Sequence, residues 1–289
     1  MGRERRGNQS APPDCTEGTA RLPRGATPCL GAAMRYTPDD IRSFVLHRDG
    51  AVLVLNKPAG LAVHAAHKIE HHLGLYMDDL AFELAEAPRL AHRLDRDTAG
   101  CLVMGRTAEA ATRLGKLFAG GWVEKTYWAV SEGVPEEPEG TIDYPLLKIQ
   151  IPGSWNMLTH PDGRPARTDY RVLGTDGRGR AWLELKPRTG RTHQLRVHCA
   201  AIGCPLLGEP YYGPERIPPG SLHLLARSIA FRLDKERPAL SVTAPPPPHM
   251  TDALAACGWT LDPPGGNLSL TIISDLSARF LLHGGRDER

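Results

Sequence analysis

The sequence predicts a folded region that mixes helices with strands, and three segments carry this prediction. Residues 51–56 form a continuous apolar run that ends at a proline and a glycine, which is typical of a buried strand. Thr107 can cap an amphipathic helix whose apolar residues recur at helical spacing up to a glycine pair. Residues 123–130 alternate with a period of two and predict a second strand.

Further elements are predicted along the chain from caps, breakers and periodicity. They are a short helix capped by Thr37, a helix over about 75–85, a strand over 141–147, a hairpin over 168–186, a helix from a Thr192 cap to about Ile202, a strand over 221–231 and a polyproline-type surface segment over 245–248. The folded domain is expected over 34–250. Residues 1–33 have the composition of a disordered arm, or precede a true start at Met34, and residues 251–289 stay unassigned.

Charge is distributed unevenly, although the net charge of the 289 residues is only +2. Residues 34–87 carry five Lys/Arg against eight Asp/Glu, whereas residues 164–198 carry nine against three. The second segment therefore predicts a positive surface suited to phosphates. Six cysteines without a CxxC pair predict reduced thiols, and the absence of a long apolar run predicts no membrane association. We expect a cytoplasmic protein.

Residues 91–100 are the most chemically suggestive stretch, because they hold two arginines, two aspartates and a histidine between apolar flanks. A carboxylate beside guanidinium groups stays ionised, so Asp95 is a candidate nucleophile or base and Arg93 a candidate anion contact. A salt-bridged loop between two strands explains the same pattern. From these residues alone both interpretations stay open.

Other chemistries have little support in the sequence. The histidines over 64–72 include a pair four residues apart, but no carboxylate or cysteine accompanies them at ligand spacing, so we predict no metal site. Neither a GxSxG elbow, a P-loop nor a GxGxxG turn follows a strand, and we expect no cofactor. An aspartate among arginines, an aromatic residue on a strand and a basic helix start suit chemistry on a nucleotide.

Five segments, in the same order along the chain, resemble the motifs of the RluA family of RNA pseudouridine synthases. The segment 92–100 resembles HRLDxxTSG, and it is accompanied by a KPxGL turn at 57–61, a KxY strand at 125–127, a TGRxHQ[IL]RxH motif at 189–198 and a GxPxxGDxxYG segment at 203–213. The sequence departs from the family at Ala99, Glu209 and Leu225, where serine, aspartate and, in many members, histidine are usual. None of these departures removes a group to which the family assigns catalysis.

The resemblance implies a role for individual residues. Asp95 corresponds to the catalytic aspartate, Tyr127 to the tyrosine that stacks on the uracil and is proposed to help remove the C5 proton, and Arg196 to the arginine that pairs with the catalytic carboxylate. Arg93 is implied to occupy the place of the extruded nucleotide, and Leu224 to lie under the target base. The remaining RNA contacts are expected at Arg96, Arg191, His193 and Gln194, and Asp97 is expected to be structural.

The resemblance also implies the fold and the reaction. The expected fold class is α+β, with a mixed, largely antiparallel central sheet flanked by helices and an active cleft across its middle, formed by residues 34–250. The expected reaction is the isomerisation of uridine to pseudouridine in a stem-loop of 23S rRNA or tRNA, by a monomer that acts without DNA, membrane, metal or cofactor. We expect a family member without the S4 domain that many relatives carry. A non-catalytic RNA-binding protein and a metal-dependent hydrolase are the competing hypotheses.

Overall fold

The computed structural model describes residues 36–65, 69–213 and 222–260. Its helices are α1 (Pro38–Ser43), α2 (Ala108–Ala119), α3 (Gln194–Ala201) and α4 (Pro248–Ala256), and short 3₁₀ turns cover Leu73–Tyr76 and Asp78–Leu80. Its strands are β1 (Val45–Arg48), β2 (Val52–Lys57), β3 (Arg89–Leu90), β4 (Ala99–Gly105), β5 (Glu124–Glu132), β6 (Glu139–Ile142), β7 (Leu146–Ile151), β8 (Ser154–Thr159), β9 (Thr168–Thr175), β10 (Arg180–Pro187), β11 (Leu224–Phe231) and β12 (Leu240–Thr243).

One ten-stranded sheet organises the described residues, in the order β1-β2-β4-β11-β5-β10-β9-β6. The short strands β3 and β12 pair with β4 and β11 respectively, and β7 and β8 form a separate hairpin. The pairing of β11 with β4 is parallel, and the other pairings are antiparallel. The expected α+β class with a mixed, largely antiparallel sheet is confirmed.

The sheet is buried on both faces near β2 and β4. Alternate residues of β2 point to opposite sides, so that Val52 and Val54 join one apolar cluster and Leu53 and Leu55 another. The first cluster is covered by α2 and α4, and the second by α1 and the two 3₁₀ turns. Burial on both faces explains why this strand reads as a continuous apolar run in the sequence.

Gly100 is required at the start of β4, where this strand meets β11. Its φ is +105°, and a Cβ atom at this position would lie 2.3 Å from the carbonyl oxygen of Ala226. Any other residue would push the two strands apart, because that contact is far below van der Waals distance. The glycine at the end of the 92–100 motif therefore allows the loop that carries Asp95 to enter the sheet directly.

Several predicted elements are confirmed. Thr37 forms a capping box with Asp40 at the start of α1, and Thr107 accepts a hydrogen bond from the backbone N–H of Ala110 at the start of α2. The 168–186 hairpin is present as β9 and β10, and the 221–231 strand as β11.

The helix predicted over 75–85 is wrong. The segment forms two 3₁₀ turns instead, and Phe82 then adopts a left-handed conformation with φ +53°. Arg106, whose side chain is 2% exposed, donates hydrogen bonds to the carbonyl of Ala81 and to the carboxylate of Glu83. The carbonyl of Ala81 also accepts a hydrogen bond from the backbone N–H of Leu84, three residues later, and the buried arginine fixes this turned segment as a second donor.

The later part of the chain requires further corrections. The single strand predicted over 141–147 is divided between β6 and β7, and β8 was not predicted. Helix α4 crosses the predicted domain boundary at residue 250, and its Met250 and Leu254 are buried in the core together with Trp259. The domain therefore extends beyond that boundary. In the predicted polyproline segment 245–248, Pro247 has the extended dihedrals φ −70° and ψ 153°, and Pro248 is already the first residue of this helix.

Three expectations fall on residues outside the described ranges: the N-terminal arm over 1–33, the histidine at position 67 and most of the extension after residue 250. No helix in the described part of the chain is long and apolar enough to cross a membrane.

Candidate active site

The loop that carries Asp95 is anchored to the turn after β2 by a buried lysine. The Nζ atom of Lys57 donates hydrogen bonds of 2.9 Å to the carbonyls of Pro58, Leu61 and Arg96. The backbone N–H of Gly60 also donates to the carbonyl of Arg96, at 2.9 Å. Two neighbouring loops are thereby fixed by one side chain next to Asp95.

Lys57 is fully buried, and this burial lowers its pKa to about 7 against the opposing effect of the nearby Asp97 and Asp95 charges. The three carbonyls match the three donors of an ammonium group. The lysine thus has a structural role for which a long side chain with several donors is needed.

Arg96, which was predicted to contact RNA, is not among the residues that line the cleft. Its Nε atom donates to Oδ1 of Asp97 at 2.9 Å, and Asp97 is 3% exposed. An arginine held by an adjacent buried carboxylate stabilises the loop, and this pairing agrees with the structural role expected for Asp97. The side chain of Arg96 is 33% exposed, so the contact with RNA stays a prediction.

Arg196 is held by a carboxylate other than the one expected. Its guanidinium group forms two hydrogen bonds with Glu209, and the two side chains are 2% and 0% exposed. No direct ion pair joins Arg196 to Asp95 in the described part of the chain, although its charge interacts with Asp95 through space. Glu209 replaces the aspartate usual in the family, and it engages the guanidinium group through both carboxylate oxygens.

Among the described residues, His193 lies within ion-pair distance of Asp95. Its Nε2 atom is 3.9 Å from the Oδ2 atom of Asp95. Its backbone is in the left-handed region with φ +52°, immediately before α3. The hydroxyl of Tyr212 makes a hydrogen bond of 2.7 Å with its Nδ1 and fixes the ring. Burial lowers the pKa of His193, and the charge of Asp95 partly offsets this effect. A histidine in this strained conformation is typical of a functional site.

Gln194 was expected to contact RNA. In the structure its side-chain amide is hydrogen-bonded within the protein and orders the loop before α3. Its Oε1 atom accepts hydrogen bonds from the backbone N–H of Arg191 and from the hydroxyl of Thr189. Its Nε2 atom donates to the carbonyl of Arg167 and the hydroxyl of Thr168. The prediction that Thr192 caps this helix is also wrong, because His193 occupies the cap position and the Gln194 amide orders the preceding loop.

Tyr127 lies on β5 opposite Leu185 of β10, and its side chain lines the cleft. Burial raises the pKa of its hydroxyl, and the negative charge of Asp95 raises it further. Tyr127 is therefore a neutral phenol in the resting site. Lys125, two residues earlier on the same face of β5, also lines the cleft. Burial lowers the pKa of Lys125, and it has no hydrogen-bonded or ion-paired partner in the described ranges.

His92 is a neutral support for the motif. Its Nε2 atom accepts a hydrogen bond of 2.9 Å from the backbone N–H of Val103, and burial lowers its pKa to about 3. Its ring stacks on Phe118 of α2, with ring centroids 4.3 Å apart. The first residue of the motif is therefore fixed between β4 and α2, with Arg93 exposed beside it.

A cavity of about 560 Å³ joins these side chains. Most of the residues predicted to act on RNA line it: Arg93, Asp95, Tyr127, Arg191, His193, Gln194, Arg196 and Leu224. The cleft thus combines a carboxylate, a phenol and several cations with apolar side chains, which suits a nucleotide. The described residues contain no group of three or more metal-ligating side chains.

A family model described as RNA pseudouridylate synthase matches residues 51–201. This range covers more than half of the chain and includes the Asp95 loop, β5 and α3. The chain belongs to the RNA pseudouridine synthase family. Members of this family are isomerases that act on RNA, and the RluA resemblance of the five motifs agrees with the match.

Individual relatives extend the match. An uncharacterised RNA pseudouridine synthase of Zymomonas mobilis is 42% identical over 213 residues, which cover 72% of this chain and 95% of that protein. The ribosomal large subunit pseudouridine synthase D of Pseudomonas aeruginosa is 37% identical over 67% of this chain and 61% of its own. The chain spans 42% of a mitochondrial relative from rice, which is 40% identical over 60% of this chain.

A solved structure supports the fold. The human RNA pseudouridylate synthase domain containing 4 protein aligns with a TM-score of 0.64 and 28% identity, over 78% of this chain and 97% of that one. Against this family background, Lys57, His92, Lys125 and Glu209 are site residues that we did not predict. All four lie inside the quoted motifs, so that motif membership was an available signal, whereas the pairing of Glu209 with Arg196 had none.

Proposed function

We propose that this protein isomerises uridine within structured RNA and that Asp95 is its catalytic carboxylate. The observation that carries the proposal is the convergence of three side chains on one cleft: Asp95 from the loop before β4, Tyr127 from β5 and Arg196 from α3. A protein that only bound RNA would gain nothing from a carboxylate in a basic cleft, because a carboxylate repels phosphate. The same argument disfavours the non-catalytic alternative.

The target base must leave its stack before it can reach Asp95. Arg93 is exposed at the cleft, beside the half-buried His92, and is in a position to fill the space that the flipped nucleotide leaves. Leu224, which is 3% exposed, offers an apolar contact to the base inside the cleft. The cavity volume of about 560 Å³ accommodates one nucleotide.

The proposed reaction breaks the N1–C1′ bond of the uridine and forms a C5–C1′ bond. A proton leaves C5 and N1 gains one, so that the product is an isomer and no proton is consumed overall. Asp95 assists the first step, either by attacking the nucleotide or by accepting the 2′ proton. The detached uracil then rotates against the ring of Tyr127 before C5 bonds to C1′.

The protonation state of Tyr127 constrains its part in the final step. Because burial and the Asp95 charge raise its pKa, the hydroxyl is not a base at rest. We propose that Tyr127 accepts the C5 proton only while passing its own proton onward, with the free Asp95 carboxylate as the acceptor. Arg196, fixed by Glu209, keeps positive charge near that carboxylate.

RNA affinity is proposed to come from phosphate contacts made by cations at the cleft. Arg93, Lys125 and Arg191 line the cavity and are not engaged by carboxylates in the described ranges, although the Nε atom of Arg191 donates to the carbonyl of Pro165. Contacts of this kind make affinity depend on salt concentration.

The RNA is proposed to be 23S rRNA, tRNA or both, in the cytoplasm, with the protein acting as a monomer. The ribosomal name of the Pseudomonas aeruginosa relative supports the first of these substrates. Pseudouridine mapping in total RNA from cells with and without the gene tests the proposal. Loss of pseudouridine at one or a few sites, restored by the wild-type gene and not by an Asp95→Asn gene, is expected. An unchanged map would contradict the proposed function.

A further inference from the structure

Two exposed aromatic rings lie next to the cleft but outside its wall. Trp155 is 36% exposed and Tyr211 is 58% exposed. Both lie beside His193, with ring-centroid distances of 5.1 Å and 6.2 Å respectively. Since His193 approaches Asp95, these rings form an aromatic path that leads outward from the catalytic carboxylate.

The position of Trp155 follows from the register of the β7–β8 hairpin. Met157 on β8 is buried against Val197 of α3, so this face of the hairpin points toward the helix. Trp155 lies two residues earlier on the same face and reaches the start of α3, where His193 is located. Lys148 on β7 places its Nζ atom 4.5 Å from the centroid of the Trp155 ring. A cation thus accompanies the exposed indole.

Tyr211 is held by the same groups that organise the catalytic site. Its backbone N–H donates a hydrogen bond of 2.9 Å to Glu209, the partner of Arg196. The guanidinium carbon of Arg196 lies 5.3 Å from the Tyr211 ring centroid. The ring is nearly parallel to that of His193, with an interplanar angle of 19°. Tyr211 is therefore held in place by Glu209 and Arg196, and its side chain remains exposed to solvent.

We propose that Trp155 and Tyr211 form a stacking site for the unpaired bases that flank the target uridine. The inference rests on the proposed function, because it assumes that the flipped uridine occupies the cleft beside Asp95. Nucleobases stack on exposed aromatic rings without sequence preference, and the nearby Lys148 suits the phosphate that joins two such bases. Flipping the uridine breaks its stacking with both neighbours, and the aromatic rings replace that stacking.

The test uses short RNA stems closed by uridine loops, each with one 2-aminopurine at a different loop position. Binding and 2-aminopurine quenching are measured in an Asp95→Asn background, so that the RNA is not converted. Trp155→Ala should weaken binding about tenfold and abolish quenching at one or more loop positions. Trp155→Phe should restore both, whereas Trp155→Leu, which keeps apolar bulk without a ring, should not.

Ile151→Ala is the matched control, because Ile151 is exposed on the same hairpin and its side chain contains no ring. It should bind and quench like the parent protein. Tyr211→Ala is measured in parallel, so that the result does not depend on one variant. If both alanine variants behave like Ile151→Ala, the stacking site is refuted. Ring-dependent binding by a wild-type protein that forms no pseudouridine in any RNA would refute the proposed function instead.

Discussion

Replacement of Lys57 by methionine tests how the catalytic loop is held. Methionine keeps the length and apolar stem of the side chain but leaves the carbonyls of Pro58 and Leu61 without their donor, whereas the carbonyl of Arg96 keeps the backbone N–H of Gly60. A buried carbonyl left without its partner costs about 1–3 kcal/mol. Two of them at the low end give a loss of about 2 kcal/mol at pH 7, out of a free energy of unfolding of about 5–15 kcal/mol for a typical domain.

The pH dependence gives this prediction a second, independent part. Burial lowers the pKa of Lys57 from 10.5 to about 7, so between these values the unfolded chain binds more protons at this lysine than the folded chain does. The contribution of Lys57 to the free energy of unfolding is therefore fully present above pH 10.5 and is lost as the pH falls through 7. Wild-type stability should rise relative to Lys57→Met by up to about 1.4 kcal/mol per pH unit above pH 7.

Urea unfolding followed by circular dichroism at pH 7 and pH 9 measures both parts. Lys116→Met removes an exposed lysine from α2 and is the matched control, with an expected change of less than about 1 kcal/mol. The reasoning would be refuted if Lys57→Met were as stable as Lys116→Met. A difference from wild type that does not widen between pH 7 and pH 9 would refute the pKa argument alone.

Three further variants test the chemistry and its support. Asp95→Asn should retain RNA binding and form no pseudouridine in a single-turnover assay, and more than trace product would remove Asp95 from its role. Tyr127→Phe keeps the ring and should lose about 10²-fold or more in rate with little change in binding; normal turnover would exclude proton transfer by the hydroxyl. Glu209→Ala leaves Arg196 buried without its partner and should lower the free energy of unfolding by about 3–5 kcal/mol, and an unchanged urea midpoint would contradict the ion-pair argument.

The fold could be predicted where local pattern and tertiary packing agree. The strand over 51–56 is apolar throughout because both faces of β2 are covered, and Thr107 caps α2 by a local hydrogen bond. The segment over 75–85 has a helical pattern as well, but the buried Arg106, 25 residues later in the chain, donates a hydrogen bond to the carbonyl of Ala81. A local sequence pattern does not reveal such a contact, and here the tertiary contacts override the helix propensity of the segment.

The sequence predicted which residues form the candidate site. It predicted less well which side chains form ion pairs and hydrogen bonds with each other there. The resemblance identified Asp95, Tyr127 and Arg196 as a group, and all three line one cleft. The partner of Arg196 depends on whether a carboxylate 13 residues away reaches two of the guanidinium nitrogens, which is a property of three-dimensional distance. The position of the Trp155 ring could not be predicted from the sequence either, because a single tryptophan in a hairpin carries no periodic signal.

The ion pairs of the basic surface change the expectation of how RNA is held. Of the nine cations in 164–198, four are engaged by carboxylates: Arg171, Lys186, Arg188 and Arg196. These pairs support the fold, so net charge overstates the number of groups available to phosphates. If Arg93, Lys125 and Arg191 make the principal contacts, three phosphates are neutralised. The slope of log affinity against log salt is then about −2 for a single-stranded loop. A slope near −6 would show that the whole basic segment binds RNA, and that the ion pairs seen here open when it does.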